Sequence, residues 1–407
     1  MEEAESSSAN FSKYCRSFEE ALSNTDYIYN RFGELKKVIA YNEKYRSKAS
    51  IEVENSIGTE ELLILEQELD NPDLSAEDKE LIELMISAAS GEDIVKNSFA
   101  NATTIDAQSY ILEQAKKYHF LLLNEAHYSS QQRAFTTILL KDLWENDYRY
   151  LAIEALAWNE FNLSKKGYPT TQSGNFIQDP VFGNMVREAI KLGYTLVPYE
   201  YNPSQDSADR ERIQAKNIYE RTLLKDSIGK VVVHAGYSHI SKSDNGTHSL
   251  MGYYLNKFAN GQVLSVNQET MSYKGKGMNN DYYDFAIANF EIKKPSIFLK
   301  NNKVILDPVN RIGNDIQVYH PKTAFINGRP MWLYGTNKTN IALTAGIKEH
   351  EGKLIRAQLI NEDENSIPLD QFVINQEKQL VLPSGNFIIS IIDCEDKIVS
   401  KYSLKVD

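Results

Sequence analysis

Cysteine is almost missing from this sequence: Cys15 and Cys394 stand alone near opposite ends of 407 residues. Without paired spacing, a CxxC-type zinc site and a disulfide framework are excluded by counting. Long apolar runs are missing too, since none approaches the ~18 residues a transmembrane helix needs. There is no basic excess. Lys and Arg number 44 against 56 Asp and Glu, a net charge of −12 with a pI near 5.3. That balance argues against nucleic acid as the main partner, because phosphate binding needs clustered Lys and Arg. The first residues (Met1, Glu2, Glu3, Ala4, Glu5) are acidic where a signal peptide is basic and then apolar. The expectation is a cytoplasmic protein, or an exported one if the sequence begins after a removed leader.

Several catalytic signatures are also lacking. No GxxxxGK[ST] phosphate loop, strand-anchored GxGxxG or HExxH helix occurs. The nearest approach to a Gly-x-Ser-x-Gly elbow is Gly236, Tyr237, Ser238, where His239 replaces the residue before a second glycine that never comes.

What is present is an ordinary globular composition, 42% hydrophobic and 25% charged, with 24 Tyr against 3 Trp. Residues 1–100 read as a helical N-terminal cap: Ser75 and Asp78 suggest a capping box, and Gly91 a stop. From 101 to 305 short apolar runs alternate with helical stretches. Phe120–Leu123, Tyr150–Ile153, Thr195–Pro198, Lys230–Val233 and Gln262–Val266 are strand-like, and Phe135, Ile138, Leu139 and Leu143 share one face of an intervening helix. From 306 to 407 the helical texture stops. Leu354–Ile360, Gln379–Leu382, Phe387–Ile392 and Ile398–Val406 are strand candidates separated by Gly, Asn and Asp, with a polar turn at Asp393–Lys397. The expected fold is α/β, a mostly parallel sheet flanked by helices, with an N-terminal helical region and a small C-terminal antiparallel β-sandwich of the Ig-like kind.

The informative pattern lies at the end of each strand in the middle region. The first runs into Asn124, Glu125, Ala126 and His127, the second ends on Glu154, and the third leads into Tyr199 and Glu200. The fourth ends on His234, with Gly236, Tyr237 and His239 beyond. In an open parallel sheet all carboxyl ends lie on one edge, where ligands bind. Repeated acid and imidazole at that edge suggests chemistry. His127 or His234 is suited to take a proton from water, with Glu125 or Glu154 fixing its tautomer. Equally, Glu125, His127, Glu154 and His234 are donor types suited to zinc or manganese, so a divalent metal stays open. Arg210 is the cation placed to balance these carboxylates, although Asp209, Arg210, Glu211 and Arg212 also read as a helix-surface charge pattern. Glu200, His239, Tyr199 and Tyr237 complete an acid-rich, aromatic-walled ligand site. His119, His320 and His350 are given no role.

These motifs resemble the erythromycin esterase-like proteins, which share a fold with the haem-binding-uptake and Tiki-type group. The resemblance lies in Glu125 and His127 before an amphipathic helix, then Glu154 at the next strand end, the Asp209–Ile218 segment, the run His234 to His239, and Met251-Gly252 opening a helix. It covers about residues 120–290. Asn124 stands where glycine is usual, Gln214 where methionine is common, and the Glu–His spacing is tighter than in the esterases. The resemblance implies a pocket lined by Glu125, His127, Glu154 and His234 or His239, with Arg210 as electrostatic partner. It also implies one of three activities: metal-free ester hydrolysis, metal-dependent peptide hydrolysis, or haem binding. The expectation is a hydrolase acting on an ester or amide of a small or medium organic molecule. The alternative is a non-catalytic binder of haem or a metal-bearing ligand, and a protein partner could dock through the C-terminal β region.

Overall fold

The computed structural model describes residues 94–158, 162–200, 209–274, 279–307, 313–335, 338–343, 347, 349–374, 379–393 and 397–407. The expected N-terminal cap, apart from its last residues, lies outside them, as do both cysteines.

The chain runs through α1 (Ile94–Phe99), β1 (Thr103–Asp106), α2 (Ala107–Ala115), β2 (Phe120–Glu125), α3 (Ser130–Glu145), β3 (Tyr148–Ile153), α4 (Leu163–Lys166), α5 (Pro180–Leu192) and β4 (Thr195–Pro198). It continues with α6 (Arg210–Arg221), β5 (Lys230–Gly236), α7 (Met251–Phe258), β6 (Val263–Asn267), α8 (Asp281–Asn289), β7 (Ser296–Lys300), β8 (Lys303–Val304) and β9 (Ile316–Gln317). The remaining elements are β10 (Phe325–Ile326), β11 (Arg329–Pro330), β12 (Lys338–Ile341), β13 (Leu354–Leu359), β14 (Asp370–Val373), β15 (Leu380–Pro383), β16 (Gly385–Ile392) and β17 (Ile398–Val406).

The centre is a six-stranded parallel sheet in the order β4-β3-β5-β2-β6-β9. It draws its last strand from beyond residue 305. The inner strands are buried along nearly their whole length because helices cover both faces. Alternation sorts their side chains. Leu121 and Leu123, Leu151 and Ile153, and Val232 pack on one face with α2, α3 and α5. Phe120 and Leu122, Ala152, and Val231, Val233 and Ala235 pack on the other with α6 and α7. Each such Leu or Val contributes roughly 1.5–3 kcal/mol by leaving water. Chain order reverses where β5 returns between β3 and β2, so their carboxyl ends lie side by side at the edge of the sheet where ligands bind in open α/β folds.

On α3 the expected apolar face is corrected at one position. Phe135, Leu139 and Leu143 are buried, but Ile138 is 42% exposed and Leu140 takes its place in the core. The C-terminal strands form antiparallel sheets, β14-β13-β16-β17 and β12-β15, sharing one apolar cluster that includes Ile355, Phe372, Leu382 and Ile389. The middle of the expected polar turn, residues 394–396, lies outside the described residues, but its two ends are bonded to each other. Asp393 N–H donates to the Lys397 carbonyl and Lys397 N–H donates to the Asp393 carboxylate.

Candidate functional site

The two-residue period that sorts the core also sorts the site. Glu125 continues the Leu121–Leu123 row and His234 the Val232 row, so both lie on the α3/α5 face, while Glu154 continues Ala152 onto the α6 face. The strand ends therefore carry two polar clusters, one on each face, meeting at the sheet edge.

On the first face Glu125 is buried at the centre. Its Oε2 accepts from Arg133 Nε at 2.6 Å and His234 Nε2 at 2.8 Å; its Oε1 accepts from Arg133 Nη2 at 2.7 Å and His127 Nδ1 at 3.2 Å. Burial alone would raise its pKa, but the Arg133 and His234 charges and the donated hydrogen bonds outweigh it, holding the carboxyl well below the usual range. Arg133 projects from the first turn of α3 and is 1% exposed. Its third fork reaches Asp179 at 2.5 Å, and Nη2 also donates to the His127 carbonyl at 2.6 Å. Asp179 caps α5 by accepting from Val181 N–H at 2.7 Å, with Pro180 preset for the first turn. Ser130 Oγ donates to the same carboxylate at 2.5 Å. Burial pushes the Asp179 carboxyl up, because it receives one Arg133 contact where Glu125 receives two.

His127 sits above this buried group. Its ring stacks on Phe176 with centroids 3.9 Å apart and meets Tyr237 edge-on at 4.9 Å. The Nδ1 hydrogen bond to Glu125 leaves Nε2 as the basic nitrogen, and among the described residues Nε2 has no hydrogen-bond partner. The His127 side chain is 25% exposed, whereas that of His234 is only 2% exposed and its Nδ1 is unpartnered in the core. Of the two imidazoles expected to activate water, His127 is the partly exposed one, while His234 is buried against Glu125.

On the second face Glu154 Oε2 accepts from Gly236 N–H at 2.6 Å and Oε1 from Arg210 Nη2 at 3.0 Å. Arg210 also grips Glu200 through Nε at 3.0 Å and through Nη2. Its guanidinium is thus knotted into the site, not spread on the helix surface, whereas Arg212 pairs with Asp209 outside. His239 Nδ1 bonds Glu211 Oε2 at 2.7 Å, and its Nε2 faces Glu154 Oε1 and Arg210 Nη1, each at 3.4 Å. Burial lowers its pKa, but the Glu211 hydrogen bond and the charges of Glu154 and Glu211 prevail and raise it. Glu211 Oε2 further accepts from Met251 N–H, and a β-carbon on Gly252 would strike the Ile240 carbonyl at 2.2 Å. Glycine at 252 is therefore required by close packing.

Tyr199 is a correction. It is buried in the core, and its hydroxyl donates to the His234 carbonyl at 3.2 Å, so it lines no ligand surface. Tyr237 is 38% exposed at the edge, held at φ +46° with its carbonyl receiving Asn124 Nδ2 at 2.8 Å. His320 is structural: buried, bonded to Gln268, and pushed by burial down to about 3.

Sequence reasoning missed Arg133, Asp179 and Phe176. A signal existed for Arg133, which occupies the buried stripe of α3 with Thr136, Leu140 and Leu143 where an apolar residue is expected. Asp179 before Pro180 was a readable N-cap. Phe176 carried none.

Among the described residues no group of three or more His, Cys, Asp or Glu is disposed to hold a metal ion. The donor chemistry agrees, since the Glu125 oxygens are taken by a guanidinium and two imidazoles. A zinc or manganese site does not fit here.

No protein-family model and no curated protein matches the chain. Two solved structures resemble it weakly. One is the type III effector HopBA1, 11% identical, spanning 55% of this chain and 97% of that one at a TM-score of 0.35. The other, described as "Bacterial protein toxins", is 12% identical over 63% of this chain and 64% of that one at a TM-score of 0.32. Both scores are too low to transfer anything from either protein to this one.

Proposed function

We propose that the chain is a hydrolase of an ester or amide bond in a small or medium organic molecule, with His127 as general base. The carrying observation is the Glu125–His127 pair: a buried carboxylate holds Nδ1–H while Nε2 stays open on a partly exposed ring. Nε2 removes a proton from water as its oxygen attacks the carbonyl carbon. The imidazolium formed is stabilised by Glu125 and returns the proton to the leaving group. Arg210 and His239, with their carboxylate partners, lie at the same sheet edge to bind a polar handle of the substrate. The motif resemblance to erythromycin esterase-like proteins supports this reading, with the substrate left open.

The test is a panel of nitrophenyl esters and nitroanilides against the parent, His127→Gln and Glu154→Gln. General-base loss costs about 10²–10⁴ in rate, so turnover should vanish in His127→Gln without loss of folded protein. Undiminished turnover in His127→Gln alone sinks the proposal. An open Nε2 is also a ligand for haem iron. A Soret band on adding haem, absent in His127→Gln, together with no turnover by the parent, selects the binding reading.

A further inference from the structure

The loop between β13 and β14, residues 360–369, is far in sequence from the site but touches two segments that build it. Glu362 receives a bidentate ion pair from Arg187 on α5, with Nε at 2.9 Å and Nη2 at 2.5 Å. Arg187 Nη2 also donates to the Ile367 carbonyl at 2.5 Å, and Asn184 Nδ2 to the Leu369 carbonyl at 2.9 Å. Gly183 lies so close to Ile367 that a β-carbon there would sit 2.7 Å from its Cγ2. One turn of the helix, from Gly183 to Arg187, is thus clamped. The same loop bonds the stretch before α5. Thr171 N–H donates to the Asn365 carbonyl and Ile367 N–H to the Pro169 carbonyl, while Asp363 N–H donates to Tyr168 Oη.

Both clamped segments reach His127. The stretch 168–178 delivers Phe176, which stacks on the imidazole. The α5 helix presents Asp179, eight residues or about 12 Å from Arg187 along a rigid rod, and Asp179 holds Arg133 against Glu125. The ion pair is well shielded, with side chains 13% and 5% exposed.

We propose that Glu362 and its loop are a positioning element for His127, so that the C-terminal β unit completes the site without supplying a residue that touches substrate. The proposal rests on His127 being the working base, but its test needs no turnover. The Phe176 ring face shields the imidazole, so the His127 Cε1–H resonance in histidine-labelled protein should lie upfield; its disappearance in His127→Gln assigns it. In folded Glu362→Ala the resonance should move downfield toward an unstacked imidazole. Glu362→Gln, which keeps one acceptor for Arg187, should recover part of that shift. Global destabilisation alone does not move a folded-state resonance. An unchanged resonance in Glu362→Ala overturns the proposal. If Glu362→Ala does not fold, Asn184→Ala, a helix-compatible change that loosens the same clamp, decides in the same way. With a substrate in hand, kcat should fall by roughly tenfold to a hundredfold, as an ångström-scale misplacement does, with KM little changed. A moved resonance without any hydrolysis by the parent leaves the positioning standing and removes the hydrolase reading.

Discussion

Gly236 lies directly under the imidazole of His127. A β-carbon at 236 would sit 2.2 Å from Cε1 and 2.6 Å from Nε2. The backbone here is extended, with φ −80°, so any residue could adopt it, and the constraint is space alone. Position 236 falls on the Glu125 face of β5, and the His127 ring occupies the volume its side chain would fill.

Gly236→Ala should therefore displace His127 while removing no hydrogen-bonding group from the chain. Overpacking of this kind costs about 1–3 kcal/mol of stability, whereas the proposed hydrolysis should fall by 10²-fold or more through misplacement. Urea unfolding and turnover measured together separate the two. Full activity in the variant refutes the close-approach argument.

The sequence made the sheet legible but not the division of the site. β4 and β17 run as read from the pattern, while β2 and β5 extend past their apolar runs through Asn124, Glu125 and His234. Polar residues end an apolar run, yet they stay in the ladder when each finds a partner, as Glu125 and His234 do in each other. Period-two alternation fixes faces within one strand, but only the pairing of β2 and β3 with β5 places Glu125 and Glu154 on opposite faces. The placement of β5 between β2 and β3 is a long-range pairing with no local signal. Phe176 likewise reaches His127 only through the tertiary fold.

Arg133 is the most consequential buried charge. Replacing it with Met strands Glu125 and Asp179 without their shared cation, which should destabilise by about 3–5 kcal/mol. Arg133→Lys should recover little of that, since a point ammonium cannot span both carboxylates and the His127 carbonyl. Denaturant midpoints of both variants provide the check. A Lys variant as stable as the parent contradicts the fork geometry.

Tyr199 tests the correction at the site. If its hydroxyl serves only the His234 carbonyl, Tyr199→Phe should cost about 0.5–1.5 kcal/mol and leave KM for any substrate unchanged. A raised KM with unaltered stability would restore a ligand-lining role.

The His239–Glu211 pair makes stability depend on pH. The His239 pKa is raised in the folded protein, so protonation favours folding. That contribution is fully present below the unfolded value near 6.5 and is lost as pH rises through the raised folded value. Burial raises the Glu211 pKa, but the His239 hydrogen bond and charge, Met251 N–H and Arg210 lower it overall. Its contribution is present above about 4.5 and lost as pH falls through the depressed value. Glu154 faces the ring from the strand side and Arg210 from α6, and the arginine stays charged throughout. The pair is thus strongest between about 4.5 and about 6.5. His239→Gln keeps a hydrogen-bonding side chain but cannot take the proton. The unfolding free-energy difference between parent and His239→Gln should be larger at about pH 5.5 than at about pH 9. A difference that is flat across that range means His239 does not titrate in this cluster.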